Sequence, residues 1–327
     1  MKQIYFIVNP KAKNGRCAMI WKRLEEHLTS EKINFLAFFT EYPGHAKNIA
    51  NGIAKNNDHE KVMITVGGDG TMHEVMNGVI KHKHITLGFI PGGSGNDFSR
   101  GYLIPSEPLE ALKVLLRLIK QEPSLVDCGK IDHEDNTEHF FINNMGAGFD
   151  ALVALKVNQS RMKALLNKLA LGRLVYVYFL LKELFTYKTS TTHLLIDGQR
   201  HIFEQTWFVT VSNQPFYGGG MKIAPAADPQ DGLLDITVVH QLSRFKLLLV
   251  FISVYWGKHI FFNEVKTFKG KKISIESSHT LSAHGDGEQI GSTPLYIHVQ
   301  KHSLQVLTRR RNAEEVDVKE SDTNELH

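Results

Sequence analysis

The chain has 327 residues, 42% of them hydrophobic and 22% charged, with a formal charge of +4, an ordinary soluble composition long enough for two domains with real cores. Its two cysteines, Cys17 and Cys128, lie far apart without C-x-x-C spacing, which excludes a disulfide framework and a thiolate metal site and points to the cytosol. After Arg311 the tail carries six acidic residues against one lysine, so the rest of the chain is near +9, a balance that favours polyanionic substrates or an anionic membrane surface.

Residues Ile4 to Val8 are too short an apolar run for a signal peptide and read as a first strand. It ends in NPKAKNG, Asn9 to Gly15, where a turn places Lys11, Lys13 and Arg16 at the passage into a helix. A helix from about Ala18 to Thr29, a strand Ile33 to Phe39 and a helix Ala46 to Lys55 follow. The run Val62 to Val66 is a strand buried on both faces. It enters Gly67, Gly68 and Gly70, three missing side chains that let backbone N–H groups approach a phosphate. Thr71 is expected as the N-cap of the next helix, with Glu74 at capping-box spacing. Asp69 is the turn's only charged side chain and would repel phosphate unless Mg²⁺ or a donor intervenes.

A strand Thr86 to Ile90 then runs into PGGSGNDF, a second glycine loop in which Ser94 and Asn96 offer short polar side chains suited to ribose or phosphate oxygens. It lacks the G-x-S-x-G pattern of a hydrolase nucleophile. Neither G-x-G-x-x-G nor G-x-x-x-x-G-K-[ST] occurs. The βαβαβαβ alternation predicts a doubly wound parallel sheet over residues 1–124, closed by a helix from Leu109 to Lys120, with its loops facing one crevice at the strands' carboxyl ends.

Beyond Pro123 the pattern changes to short strands: Leu125 to Ile131, Phe140 to Met145, Thr192 to Ile196, Trp207 to Ser212, Leu234 to Val239, Lys272 to Glu276 and Tyr296 to Val299. These predict a mainly antiparallel β-sandwich over 125–310, its last strand returning to the first domain, before a disordered acidic tail, 311–327. A helical stretch from Met162 to Tyr187 interrupts it. The longest apolar run, Leu247 to Trp256, is well short of a membrane span. Three carboxylate groups stand out: VDCGK at Val126 to Lys130; Asp228, Asp231 and Asp235 around a D-x-x-D-G turn able to hold a hard cation; and HGDGE, where Asp286 and Glu288 would point to the same side of an extended segment. No H-E-x-x-H or Cys/His set appears, and the histidines read as surface or core residues.

Taken together, NPKAKNG, GGDGTMHEVMNG, PGGSGNDF, VDCGK, DGLLD and DGE resemble the bacterial diacylglycerol kinase and lipid kinase family, related to sphingosine kinases and more distantly to NAD kinases, over about residues 1–310. The resemblance implies an NAD kinase-like N-terminal domain and ATP bound in the crevice between the domains. Its ATP-binding residues would be Asn9, Pro10, Lys11, Ala12, Lys13, Thr40, Gly67, Gly68, Asp69, Gly70, Thr71, Met72, His73, Glu74, Gly93, Ser94 and Asn96. The family's structural Mg²⁺ position falls on Asp228, Asp231 and the carbonyl of Leu233, with Asp127 and Asp69 in a nearby acidic network. Its catalytic base falls on Glu288, beside Asp286. Ser94 stands where the bacterial diacylglycerol enzymes often have threonine, and PGGSGN is closer to the sphingosine kinase version.

These residues together predict an ATP- and Mg²⁺-dependent transfer of phosphate to a lipid hydroxyl, with diacylglycerol to phosphatidic acid first and a sphingoid base or other lipid as the alternative. NAD kinase ranks lower because of the DGLLD and PGGSGNDF segments, and a non-catalytic nucleotide or lipid sensor because Asp69, Asp231 and Glu288 are all present. The expected setting is the cytoplasm, peripherally at the inner face of the cell membrane, with no nucleic-acid partner and with a homodimer left open.

Overall fold

In the computed structural model, residues 2–56, 59–132, 137–160 and 172–309 are described. The first half alternates as expected: β1 (Gln3–Val8), α1 (Arg16–Ser30), β2 (Phe35–Phe39), α2 (His45–Lys55), β3 (Lys61–Gly67), α3 (Asp69–Val79), β4 (Ile85–Pro91), a short α4 (Asp97–Gly101) and α5 (Pro108–Leu118). The strands pair in parallel in the order β2-β1-β3-β4. Every residue of β3 and β4 is buried, which explains their predominantly apolar sequence. The chain reverses direction across the sheet at β1 and β3, so the loops leaving these strands open onto one crevice, the usual ligand position in a doubly wound sheet.

The second half is antiparallel. It contains β5 (Ser124–Asp132), β6 (Glu138–Phe141), β7 (Asn144–Gly148), α6 (Phe149–Gln159), α7 (Gly172–Thr186), β8 (Ser190–Ile196), β9 (Gln199–Ser212), the short β10 (Phe216–Tyr217) and β11 (Met221–Lys222), β12 (Leu234–His240), α8 (Arg244–Ser253) and β13 to β17 (Val265–Gly270, Lys272–Ser277, Ser282–Gly285, Glu288–Ser292, Leu295–Val306). The sequence expectation for Met162 to Tyr187 meets helix from Gly172; its residues up to 171, like the tail from 310, lie outside the described residues. The single strand expected over Phe140 to Met145 is broken at Ile142 and Asn143.

One strand joins the halves. The first part of β17 pairs antiparallel with β14 (Lys272–Ser277), and its end, Gln305 and Val306, pairs in parallel with β4. Leu304 and Val306 accordingly sit in the same apolar core as Phe6, Ile64 and Phe89, while Leu295 and Ile297 sit in the sandwich core with Val209 and Ile236. Burying both ends of one strand in different cores fixes the two halves relative to each other.

Candidate functional site

The glycine turn after β3 forms the floor of the site. Helix α3 begins at Asp69 with Gly68 as its N-cap, not at Thr71. Thr71 lies in the first turn, where its hydroxyl accepts from Asn9 Nδ2 at 3.0 Å. Glu74 makes no capping box; its two oxygens accept from the N–H groups of Gly44 (2.8 Å) and Ala46 (3.0 Å), and so cap α2. Met72 is fully buried in the core. Neither Met72 nor Glu74 is free to hold a nucleotide, whereas the amides of Gly68 to Thr71 have no turn of helix before them to bond.

Around this turn the other predicted loops close in. Asn9 N–H bonds Val66 O, Thr40 N–H bonds Val8 O, and Lys11 Nζ donates to Glu41 O at 2.7 Å. Lys13, Asn14 and Gly15 all have left-handed φ, bending the backbone sharply into α1. Gly92 N–H donates to Gly67 O at 2.7 Å. A Cβ on Gly93 would stand 2.4 Å from Gly68 Cα, so the two glycine loops touch backbone to backbone and only glycine fits there. Asn96, predicted to grip the ligand, instead bonds Gly93 N and O with its own side chain and locks the loop; Ser94 is exposed at its tip.

Asp69 turns toward this second loop. Its Oδ1 accepts from Phe98 N–H at 3.0 Å, and burial, with the nearby charge of Asp97, pushes its carboxyl up to about 6 against the pull of the Phe98, Asp97 and Asn96 amides. It is therefore a brace between the glycine loops, not a group facing an acceptor. Asp97, which sequence reasoning missed, carries the brace further: one oxygen pairs with Arg100 at 3.0 Å and the other accepts from Gly219 N–H at 2.7 Å.

The second half supplies the opposite wall. Asp286 and Gly287 both have positive φ, the conformation that a two-residue hairpin loop needs and that Asp-Gly supplies. The expected extended segment is thus a hairpin between β15 and β16, and its two carboxylates diverge. Asp286 has a fully buried side chain. It accepts from the N–H groups of Ile142 (3.0 Å), Asn143 (2.9 Å) and Asn144 (3.1 Å), and from His73 Nδ1 at 3.0 Å. The break between β6 and β7 exists at these donors. Burial would push the His73 imidazole down, but its bond to Asp286 and the charges of Asp286, Glu288 and Glu74 leave it raised. Glu288 is the exposed member. A Cβ on Gly70 would stand 3.4 Å from its Oε1, so this carboxylate reaches over the glycine turn. It also lines a cavity of about 230 Å³ with His284, Gly287 and residues of α6.

The residues expected to hold a structural Mg²⁺ are engaged by the protein's own donors. Asp127 has both oxygens occupied by the N–H groups of Gly232 and His302, each at 2.7 Å. Asp228 bonds Gln230 N–H, and Asp231 bonds Leu233 N–H. Lys269 Nζ lies 2.9 Å from Asp231 and 3.4 Å from Asp235 and also donates to Ala226 O. An ammonium thus stands among these acids, and among the described residues no group of three or more His, Cys, Asp or Glu is placed to hold a metal. Burial still leaves Asp235 pushed up to about 6, with Lys269 opposing.

Comparison with known proteins finds relatives along nearly the whole chain. The diacylglycerol kinase catalytic domain family matches residues 3–131, and the YegS C-terminal NAD kinase beta sandwich-like domain matches residues 143–308. The chain is 33% identical over 311 residues to "Putative lipid kinase YtlR" of Bacillus subtilis (strain 168), covering 94% of this chain and 100% of that protein. It is 32% identical over 262 residues to "Diacylglycerol kinase" of Mycobacterium tuberculosis (strain CDC 1551 / Oshkosh), covering 80% of each. A solved structure, "Crystal structure of a putative diacylglycerol kinase from Bacillus anthracis str. Sterne", superposes with a TM-score of 0.74 at 26% identity, covering 94% of this chain and 95% of that one.

Proposed function

The chain belongs to the diacylglycerol kinase family of lipid kinases, and from that premise we propose that it transfers the γ-phosphate of ATP to a lipid hydroxyl. The observation that carries this reading is the Glu288 carboxylate set over Gly70 at the head of α3. ATP lies with its phosphates against the amides of Gly68 to Thr71 and the second glycine loop, with Lys11 and Lys13 near their charge, on the half formed by residues 1–124. The acceptor approaches from the half formed by 125–310. Its hydroxyl oxygen bonds to the γ-phosphorus, the bond to the ADP oxygen breaks, and Glu288 takes the hydroxyl proton. Positioning and a base are what the protein must add to phosphoryl transfer. A divalent cation arriving with ATP would neutralise the phosphates, whereas Asp231 is already paired with Lys269.

Diacylglycerol, yielding phosphatidic acid, is the acceptor that the relatives' names put first. An apolar cavity between α6, α7 and α8 is lined by Leu180, Leu184, Leu247 and Phe251 and offers the start of an acyl-chain path. It encloses about 50 Å³, about two waters, so a long chain enters only if α8 moves outward. The opposite side of α8 and the turns after it expose Phe245 (75%), Trp256 (66%) and Phe261 (80%), with Lys258 also exposed beside them. A helix apolar on both sides calls for cover, and an anionic bilayer fits a rim that carries lysine. No helix among the described residues is long and apolar enough to cross a membrane, so contact is peripheral, at the cytoplasmic face. Incubation with labelled ATP and a panel of lipid alcohols tests the reading: label in lipid supports it, and label in none of them overturns it.

A further inference from the structure

Between the apolar cavity and the cavity of Glu288 stands a buried polar cluster that the reaction above does not use. Asp150, in the first turn of α6, is 8% exposed. Tyr217 Oη–H donates to its Oδ2 at 3.3 Å, and His284 Nε2 lies 3.3 Å from the same oxygen. Gly287 N–H donates to His284 Nδ1, so a neutral imidazole carries its proton on Nε2 and donates toward Asp150 or Tyr217. Two donors thus converge on one carboxylate oxygen. Space for the cluster is made by Gly146, where a Cβ would stand 2.0 Å from Asp150 Oδ2 and 2.7 Å from His284 Nε2.

The other oxygen, Asp150 Oδ1, is buried with no hydrogen-bond partner among the described residues, and so is the phenol oxygen of Tyr187. Tyr187 Oη lies 3.2 Å from the Cβ position of Gly148, the residue that leads into α6 and stands just before Asp150 in the chain, and the charge of Asp150 acts on its phenol. An orphaned acceptor and an orphaned donor, each costly to leave unpaired, are complementary to a group that is both donor and acceptor. A hydroxyl is such a group; an ammonium has no acceptor and an ester has no donor.

Resting on the lipid kinase reading, we infer that Asp150 and Tyr187 bind a second free hydroxyl on the acceptor, which selects a lipid alcohol with two hydroxyls in one headgroup over one whose only hydroxyl is the reacting one. The second hydroxyl donates to Asp150 Oδ1 and accepts from Tyr187, while the reacting hydroxyl goes to Glu288. Diacylglycerol has no second hydroxyl to offer; a monoacylglycerol has.

The test compares 1-monooleoylglycerol with 3-hydroxypropyl oleate, the same molecule without its 2-hydroxyl. Kinase kcat/KM is measured for both. Their affinities are read separately from tryptophan fluorescence, since Trp207 stacks on Tyr187 with ring centroids 5.7 Å apart. The diol is expected to be favoured by at least about tenfold in both readouts. In Asp150→Asn the amide oxygen must stay toward Tyr217 and His284, which puts an NH₂ where the acceptor was; there and in Tyr187→Phe the ratio of diol to 3-hydroxypropyl oleate should fall to within about threefold in both readouts. Equal affinity and turnover of the two lipids by the wild type, or a preference that survives both substitutions, overturns the inference. Discrimination in binding with neither lipid phosphorylated would uphold the site and sink the kinase reading instead.

Discussion

His73 Nδ1 and Asp286 Oδ2 lie 3.0 Å apart across 213 residues of sequence, so the helix that starts at the glycine turn is tied to the hairpin that carries Glu288. The tie is fully buried on the Asp286 side and mostly covered on the His73 side, and it sets the spacing between the phosphate floor and the base. Removing either partner leaves the other's charge or backbone donors unmet, which costs more than the bond itself contributes.

Asp286→Ala is expected to destabilise the protein by about 3 kcal/mol or more, because three backbone N–H groups lose their acceptor, and to lower kcat without changing ATP affinity. Urea unfolding at neutral pH measures the first and steady-state kinetics the second. An unchanged unfolding midpoint would show that the hairpin is held by other means.

The same pair gives a pH dependence. The folded value of His73 is raised above its ordinary 6.5, so the protonated pair's contribution is complete below about 6.5 and is lost as pH rises through the raised value. Melting curves taken across that interval should show a fall in Tm for the wild type, and the fall should be smaller in His73→Gln. Identical slopes in the two proteins would contradict the pairing.

Asp69 behaves in the opposite sense to a salt-bridged carboxylate. With its folded value pushed up to about 6, the ionised form costs stability that is absent at low pH and reaches about 3 kcal/mol above the folded value. Asp69→Asn should therefore melt higher than the wild type at pH 8 and close to it at pH 4.5. A lower Tm at pH 8 would mean that the charge on Asp69 stabilises the loops.

Much of this site was legible in the sequence and part was not, for physical reasons. Glycine runs after apolar strands announce close backbone approach, and Gly68 and Gly93 do touch, with Asn9 bonded to Thr71 beside them. The fold class was readable because fully buried strands, such as Val62 to Val66, look unlike half-exposed ones. Side-chain partners were not readable where they come from distant sequence. Glu74 has capping-box spacing from Thr71 yet bonds α2, because the tertiary donors of Gly44 and Ala46 outcompete the local one. Asp286 and Glu288 look equivalent until the left-handed Asp-Gly loop separates them. The acids at Asp228 and Asp231 resemble a cation site only while Lys269, from β13 (Val265–Gly270), is unseen. Strand β9 was found over Trp207 to Ser212 but not from Gln199, because its first residues are mostly exposed and lack an apolar pattern.

That lysine makes a prediction about metal. Chelation should leave the wild-type Tm unchanged within about 1 °C, whereas Lys269→Met, which strips the counter-charge from Asp231 and Asp235, should lower it by about 2–4 °C, about 1 kcal/mol. Added Mg²⁺ should restore part of the loss in the variant only. A wild type that unfolds on chelation would contradict the assignment.

The central claim is that Glu288 takes the acceptor's proton above the glycine turn, and single-turnover phosphoryl transfer by Glu288→Gln tests it most directly. The glutamine keeps the shape but cannot accept the proton, so the rate should fall by about 10²–10⁴ with the ATP affinity held within about threefold. A folded Glu288→Gln protein that transfers phosphate within about threefold of the wild-type rate would contradict the account.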